Sequence, residues 1–251
     1  MTYASLFFPA NAADGAVAAA LTESFAALGY TPFNPFGSIP GKSYPLAVRL
    51  FIAPAQAGWT RVLGEPDTAA FPALSHAAPF LYARLDGETG AIQAWRGGES
   101  QPVEAVFNLS VRAGQAPPLQ TPVSSDPLLD ALPESVRAMN TNPKQAQKMI
   151  ERFSGGLLAK AGGAGQHDAA LRLISGGEQW NSAAGQEIAS VCASLAVPNW
   201  REPDFNTLRD AYQLHKRRRR NPKATLLPGD AETLAAVPDA LAYVPVYMGK
   251  N

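Results

Sequence analysis

The chain is poor in the residues from which short chemical signatures are built. Its 251 residues include one cysteine and three histidines. A lone Cys192 excludes an internal disulfide and a cysteine-rich metal site. His76, His167 and His215 show no metal-binding spacing, and no His-Glu-x-x-His element occurs. Charge is sparse as well. Charged residues make up 17% of the chain, below the usual quarter, and 21 cations balance 21 anions. A zero balance argues against a dedicated nucleic-acid coat protein. Low charge with abundant Ala, Gly and Pro argues against both a long coiled coil and a highly charged disordered chain.

Long apolar runs are also missing. No stretch approaches the roughly 20 residues that a membrane span requires. The N-terminal segment MTYASLFFPANA lacks a basic n-region, and its apolar run stops at Pro9. It reads as a first core strand and not as a signal peptide. With the single cysteine, these absences lead to the expectation of a soluble, cytoplasmic protein with no membrane partner.

The catalytic fragments fail for stated reasons. Gly37-Ser-Ile-Pro-Gly41-Lys42-Ser43 has three residues between the first glycine and the Gly-Lys pair, where a phosphate loop has four. Tyr44-Pro45 also opposes a helix starting at the lysine, so amide groups would not point at a phosphate. Gly155-Gly156 and Gly162-Gly-Ala-Gly165 fall within and after a helical pattern, not between a strand and a helix as a dinucleotide loop requires. No Gly-x-Ser-x-Gly elbow occurs. Glu178, Glu187, Glu202 and Asp204 have no spacing that fixes an acid–base pair. Cys192 falls in an apolar helical stripe, which suits a core thiol better than a nucleophile. The sequence therefore gives no reason to expect a cofactor or a metal, and it leaves open whether the chain is an enzyme.

What is present organises the chain into two regions. Tyr3–Phe8 predicts a strand, Gly15–Leu28 a helix, and Leu46–Ala53 with Trp59–Leu63 two neighbouring strands. A short helix is expected over Thr68–His76. Pro79–Leu85 and Ala91–Arg96 flank a glycine-bearing turn and predict a hairpin. A further strand is expected over Val103–Val111. Residues 113–127, with four prolines, read as a linker or connecting loop. Beyond it the period becomes helical. Helices are expected from Asn142, from His167, from Asn181 or Ser182 to about Leu195, and from Pro203 to about Arg219. The tail through Tyr243–Met248 reads as a strand or an extended packed segment. The expected fold class is α+β. It comprises a sheet-containing domain over 1–112, antiparallel or mixed with two helices, and a mainly helical region over 128–251 that is free to pack on the first.

Two features point outward. The first is the proline-rich loop 31–45, which carries Phe33, Phe36, Lys42 and Tyr44 as candidate contact residues. Its prolines forbid a regular ladder, and its aromatics need cover. The second is the run Lys216-Arg217-Arg218-Arg219-Arg220, followed by Lys223. Five consecutive cations repel one another. A helix C-terminus offsets part of that cost through its dipole, and docking on an acidic protein or on nucleic-acid phosphates would offset more. The leading expectation is a non-catalytic interaction or accessory protein with a protein partner. Nucleic-acid binding through residues 216–223 and an enzyme with a dispersed site are the alternatives.

Overall fold

Residues Tyr3–Phe8 are all buried. Six consecutive buried side chains on a strand, whose residues alternate between faces, require cover on both sides. The computed structural model, which describes residues 2–10, 14–34, 44–107, 179–223 and 225–251, provides it. The chain divides into two units, one formed by Met1–Arg112 with Ser175–Asn251 and the other by Ala113–Ile174. The description below concerns the first.

Strand β1 (Thr2–Pro9) lies between β4 (Trp59–Leu63) and β5 (Phe80–Asp86). The remaining strands are β2 (Thr31–Pro32), β3 (Leu46–Ile52), β6 (Thr89–Arg96), β7 (Glu99–Gln101) and β8 (Val244–Lys250). They make one eight-stranded sheet of order β2-β8-β3-β4-β1-β5-β6-β7, with every pairing antiparallel. Residues Val244–Met248 of the tail thus form most of a strand inserted between β2 and β3.

Leu6 and Phe8 of β1 meet Val17, Leu21 and Phe25 of α1 (Asp14–Ala27), together with Phe71 and Leu74 of α2 (Phe71–Ala77). Tyr3 and Phe7 face the other way, onto Ile188 and Cys192 of α4 (Ala183–Ser194). On the same side, Phe51 and Leu63 are covered by Leu208, Ala211 and Tyr212 of α5 (Phe205–Arg220) and by Val237, just after α6 (Asp230–Ala236). Each fully buried Phe or Leu contributes about 2 kcal/mol through loss of water contact. The fold is α+β, a sheet-and-helix region followed by a helical one, as the sequence leads one to expect.

Three local expectations change. The hairpin turn is tighter than its glycines imply. Asp86 pairs directly with Thr89, and Gly87 (φ 60°) with Glu88 alone forms the bend. The strand expected over Val103–Val111 is, in its described part, helix α3 (Val103–Val106). The preceding strand lies upstream because Gly97 and Gly98, both at positive φ, turn the chain at once into β7. Pro102 then opens a helical turn that buries Val103 and Val106 three residues apart. Helix α6 has no counterpart among the expected elements, because the prolines flanking it read as extended tail. The connection expected over 113–127, the helices expected from Asn142 and His167, and residues 35–43 with Phe36 and Lys42 lie outside the described residues. No described helix is long and apolar enough to cross a membrane.

Candidate functional site

Helix α5 begins where Asp204 caps it. Its carboxylate accepts from the Asn206 and Thr207 amides at 2.9 and 3.1 Å and from the Thr207 hydroxyl at 2.6 Å. Leu208, Ala211 and Tyr212, at helical spacing, fix the helix to the sheet. Beyond Tyr212 the helix leaves the core. The ring Nε2 of His215 lies 3.1 Å from the carbonyl oxygen of Val237, and Arg217–Arg220 are exposed. The cations occupy the last turn, where the helix dipole favours them.

The run does not act as one uniform patch. The Arg217 guanidinium donates to the Thr225 carbonyl at 2.9 Å and to the Asp230 carboxylate at 3.1 Å. The same Asp230 oxygen accepts from the Leu227 amide at 2.9 Å. This clasp holds residues 225–227 beside the helix end, where Leu226 is 37% and Leu227 62% exposed. The Lys216 ammonium sits 5.7 Å from the centre of the Tyr212 ring. Arg218, Arg219, Arg220 and Lys223 are exposed and form no ion pair among the described residues.

Two of the loop aromatics join this feature. Phe33 and Tyr44 are half-buried, with ring centres 5.2 Å apart. Phe33 also lies 6.2 Å from Tyr247, Tyr247 5.8 Å from Phe51, and Phe51 5.2 Å from Tyr212. A row of rings therefore runs from Tyr44 across β8 and β3 to Tyr212, ending under Lys216. Gly249 makes the outer end possible, since a Cβ there would come within 2.3 Å of the Tyr44 ring. Arg49, exposed on the same face of β3, pairs across the ladder with Tyr247. Burial, the largest cause, pushes the Tyr247 hydroxyl far above the usual phenol range.

Arg61 was not singled out in the sequence. It is 6% exposed, on β4. Its Nε donates to the Ser5 hydroxyl at 3.1 Å, and its Nη1 donates to the carbonyls of Asn199 and Glu202 at 2.6 and 3.0 Å. Its guanidinium also lies 5.7 Å from the centre of the Tyr3 ring. Tyr3 in turn donates from its hydroxyl to the Trp200 carbonyl. These contacts bind segment 199–202 to the sheet. Above them lies a cleft of about 330 Å³ lined by Trp59, Arg61, Asn199, Glu202, Asp239 and Tyr243, among others. Burial and then the neighbouring Asp204 raise the Glu202 carboxyl. Burial, joined by Asp239, raises the Tyr243 hydroxyl. No local pattern announces this site, because Arg61 and its acceptors are about 140 positions apart in the chain.

The remaining candidates resolve simply. Cys192 is fully buried, and burial pushes its thiol up to about 12, so it is no nucleophile. His76 packs over Gly98. No cluster of three His, Cys, Asp or Glu side chains suited to a metal occurs among the described residues. A second, shallower trough of about 570 Å³ lies over β5 and β6 and is lined in part by Glu65, Asp67, Arg84 and Asp86. Arg84 bridges Glu65 and Asp86 at 3.2 and 3.7 Å. No protein-family model, curated protein or solved structure matches this chain.

Proposed function

We propose that the chain is an interaction protein of the cytoplasm that docks on an acidic protein partner through the end of α5 and the adjoining aromatic row. One observation carries the reading. The two outward features of the sequence, loop aromatics and basic run, lie on the same side of the sheet and are joined beneath the surface by Tyr247 and the buried rings of Phe51 and Tyr212. Aromatic and arginine side chains are the residues enriched at protein-binding surfaces. Arginine forks pair with carboxylates in two-point contacts. The cost of crowding cations at the helix end is then met on binding.

The arrangement favours a protein over nucleic acid on two grounds. Successive rings in the row are inclined by 43°, 50°, 88° and 57°, so they do not present the parallel faces on which bases stack. Leu226 and Leu227, beside the cations, offer apolar contact that a phosphate backbone does not use.

The test is capture from extract of the source cell by the wild-type chain and by Arg218→Ala/Arg219→Ala/Arg220→Ala. The expected result is one or a few specific proteins retained by the wild type and lost by the variant. Capture of nucleic acid alone, released steeply with salt, would replace this reading with a phosphate-binding one. Identical capture by both chains would refute a docking role for the helix end.

A further inference from the structure

The exposed cations of α5 have a counterpart on the chain itself. Glu65, Asp67 and Asp86 line the trough over β5 and β6, and Glu88 stands in the adjoining turn. Among the described residues Arg84 pairs with two of these four carboxylates, Glu65 and Asp86. Asp67 is held by hydrogen bonds from Tyr30 and the Ala69 amide, so its charge is fixed in place. At the other feature, Arg218, Arg219, Arg220 and Lys223 have no carboxylate partner among the described residues.

The two features cannot meet within one chain. Tyr82, which lines the trough, packs on the α1 and α2 side of the sheet. Residues two apart on a strand share a face, so Arg84 and Asp86 lie on that side too. Helix α5 packs on the opposite side, over Phe51 and Leu63. Their charges also correspond. Arg218, Arg219 and Arg220 follow one another at about 100° steps around the helix, giving a knob with cations on several sides. The trough is shallow, but Glu65, Asp67 and Asp86 lie along it with Glu88 in the adjoining turn, so carboxylates at several points can meet those cations. Leu226 and Leu227 would lie against Ala91 and the methyl groups of Thr68 and Thr89 at the trough wall.

We infer that a second copy of this chain is a partner of the docking face. The α5 end of one copy seats in the Glu65–Asp86 trough of the next. This inference rests on the docking reading above and names one occupant for it. The contact joins two different surfaces, so it is head-to-tail and propagates beyond a dimer unless its rotation closes a ring. It is also electrostatic and exposed, and therefore salt-sensitive.

Sedimentation velocity on the full chain tests it. At about 50 mM salt the weight-average mass of the wild type rises with protein concentration, and at about 500 mM, where the Debye length is only a few ångström, it returns to the monomer value. Arg218→Glu/Arg219→Glu and, separately, Glu65→Lys/Glu88→Lys each weaken association by roughly tenfold or more. Mixing the two variants restores association, because the reversed helix end of one matches the reversed trough of the other. All four altered side chains are exposed, and unchanged circular dichroism and melting establish that both variants fold. Arg218→Gln/Arg219→Gln provides a milder arm with the same expected direction. A wild type that stays monomeric at every concentration overturns the inference, as does self-association that survives both reversals or a mixture that fails to recover it. A monomeric wild type that still captures an acidic protein through Arg218–Arg220 sinks the self-contact while leaving the docking face standing.

Discussion

Arg61 donates from one nitrogen, Nη1, to the carbonyl oxygens of both Asn199 and Glu202, at 2.6 and 3.0 Å. A strand residue in the first part of the chain thereby fixes a loop in the last part. A buried cation is costly unless several acceptors surround it, and here neutral oxygens do so.

Replacing Arg61 tests that arrangement. Arg61→Met keeps the stem volume but leaves the Asn199 and Glu202 carbonyls and the Ser5 hydroxyl without their donor. We expect a loss of about 2–4 kcal/mol by chemical denaturation, since hydrogen bonds to a charged group are each worth about 1.5–3 kcal/mol. Arg61→Lys keeps the charge but not the fork, and recovers less than half of that loss. Hydrogen exchange quickens first in residues 197–202. A variant as stable as the wild type would show that segment 199–202 is held by its ring contacts and not by Arg61.

Glu202 gives a prediction in pH. Burial and Asp204 raise its folded pKa above the unfolded carboxylate value. A group of this kind binds its proton more tightly when folded. Its favourable contribution is complete below the unfolded pKa and is lost as pH rises through the folded pKa. At neutral pH the ionised carboxylate is therefore a mild liability, because Glu202 stays more than a third exposed and water screens its charge. Glu202→Gln is expected to be more stable than the wild type at pH 7, with the difference shrinking as pH falls through the carboxylate range. Parallel melting curves at several pH values check this. A difference that grows in acid would mean that the carboxylate is favourably paired when folded.

The contrast between Arg61 and α5 explains how much the sequence disclosed. Helix α5 was legible because its signals are local: Leu208 and Tyr212 at helical spacing and cations at the end, although the cap at Asp204 emerges only in the structure. The basic run was visible for the same reason. Segment 31–45 stood out through its prolines, yet nothing local said that Phe33 would meet Tyr247, more than two hundred residues away. The place of β8 between β2 and β3 is likewise a long-range pairing. Val103–Phe107 misled because two valines and a phenylalanine suit a strand, while Pro102 and the Gly97–Gly98 turn decide otherwise. Arg61 reads as an ordinary interruption of an apolar strand until its acceptors arrive from the other end of the chain.

Cys192 is expected to be silent toward thiol reagents in the folded protein. Its thiol is raised from 9.0 to about 12, chiefly by burial. At a given pH below both values this cuts the thiolate fraction about a thousandfold, before lack of access is counted. Alkylation at pH 8 should follow global unfolding and accelerate with denaturant. The Tyr3 hydroxyl is similarly raised to about 12. Both groups are more easily ionised when unfolded, so their contribution is present below about pH 9 and declines as pH rises toward 12. Rapid labelling of native protein would show that α4 opens locally from the sheet.

The exposed cations should separate binding from stability. Arg218, Arg219 and Arg220 form no ion pair among the described residues, while the helix dipole and their mutual repulsion act on them in opposite directions. Substituting all three by alanine is therefore expected to change folding stability by no more than about 1 kcal/mol, because exposed charges contribute little and alanine is a strong helix former. Arg217→Ala is different in kind. It removes the donor to Thr225 and Asp230 and so frees the Leu226–Leu227 segment. Its cost in stability should also stay near 1 kcal/mol, but it should weaken partner capture by displacing the leucines while leaving Arg218–Arg220 in place. If the alanine triple variant unfolds, or if Arg217→Ala binds as the wild type does, the division between a clasp at Arg217 and a contact surface at Arg218–Arg220 is wrong. Melting temperature and capture measured on the same preparations decide between these outcomes.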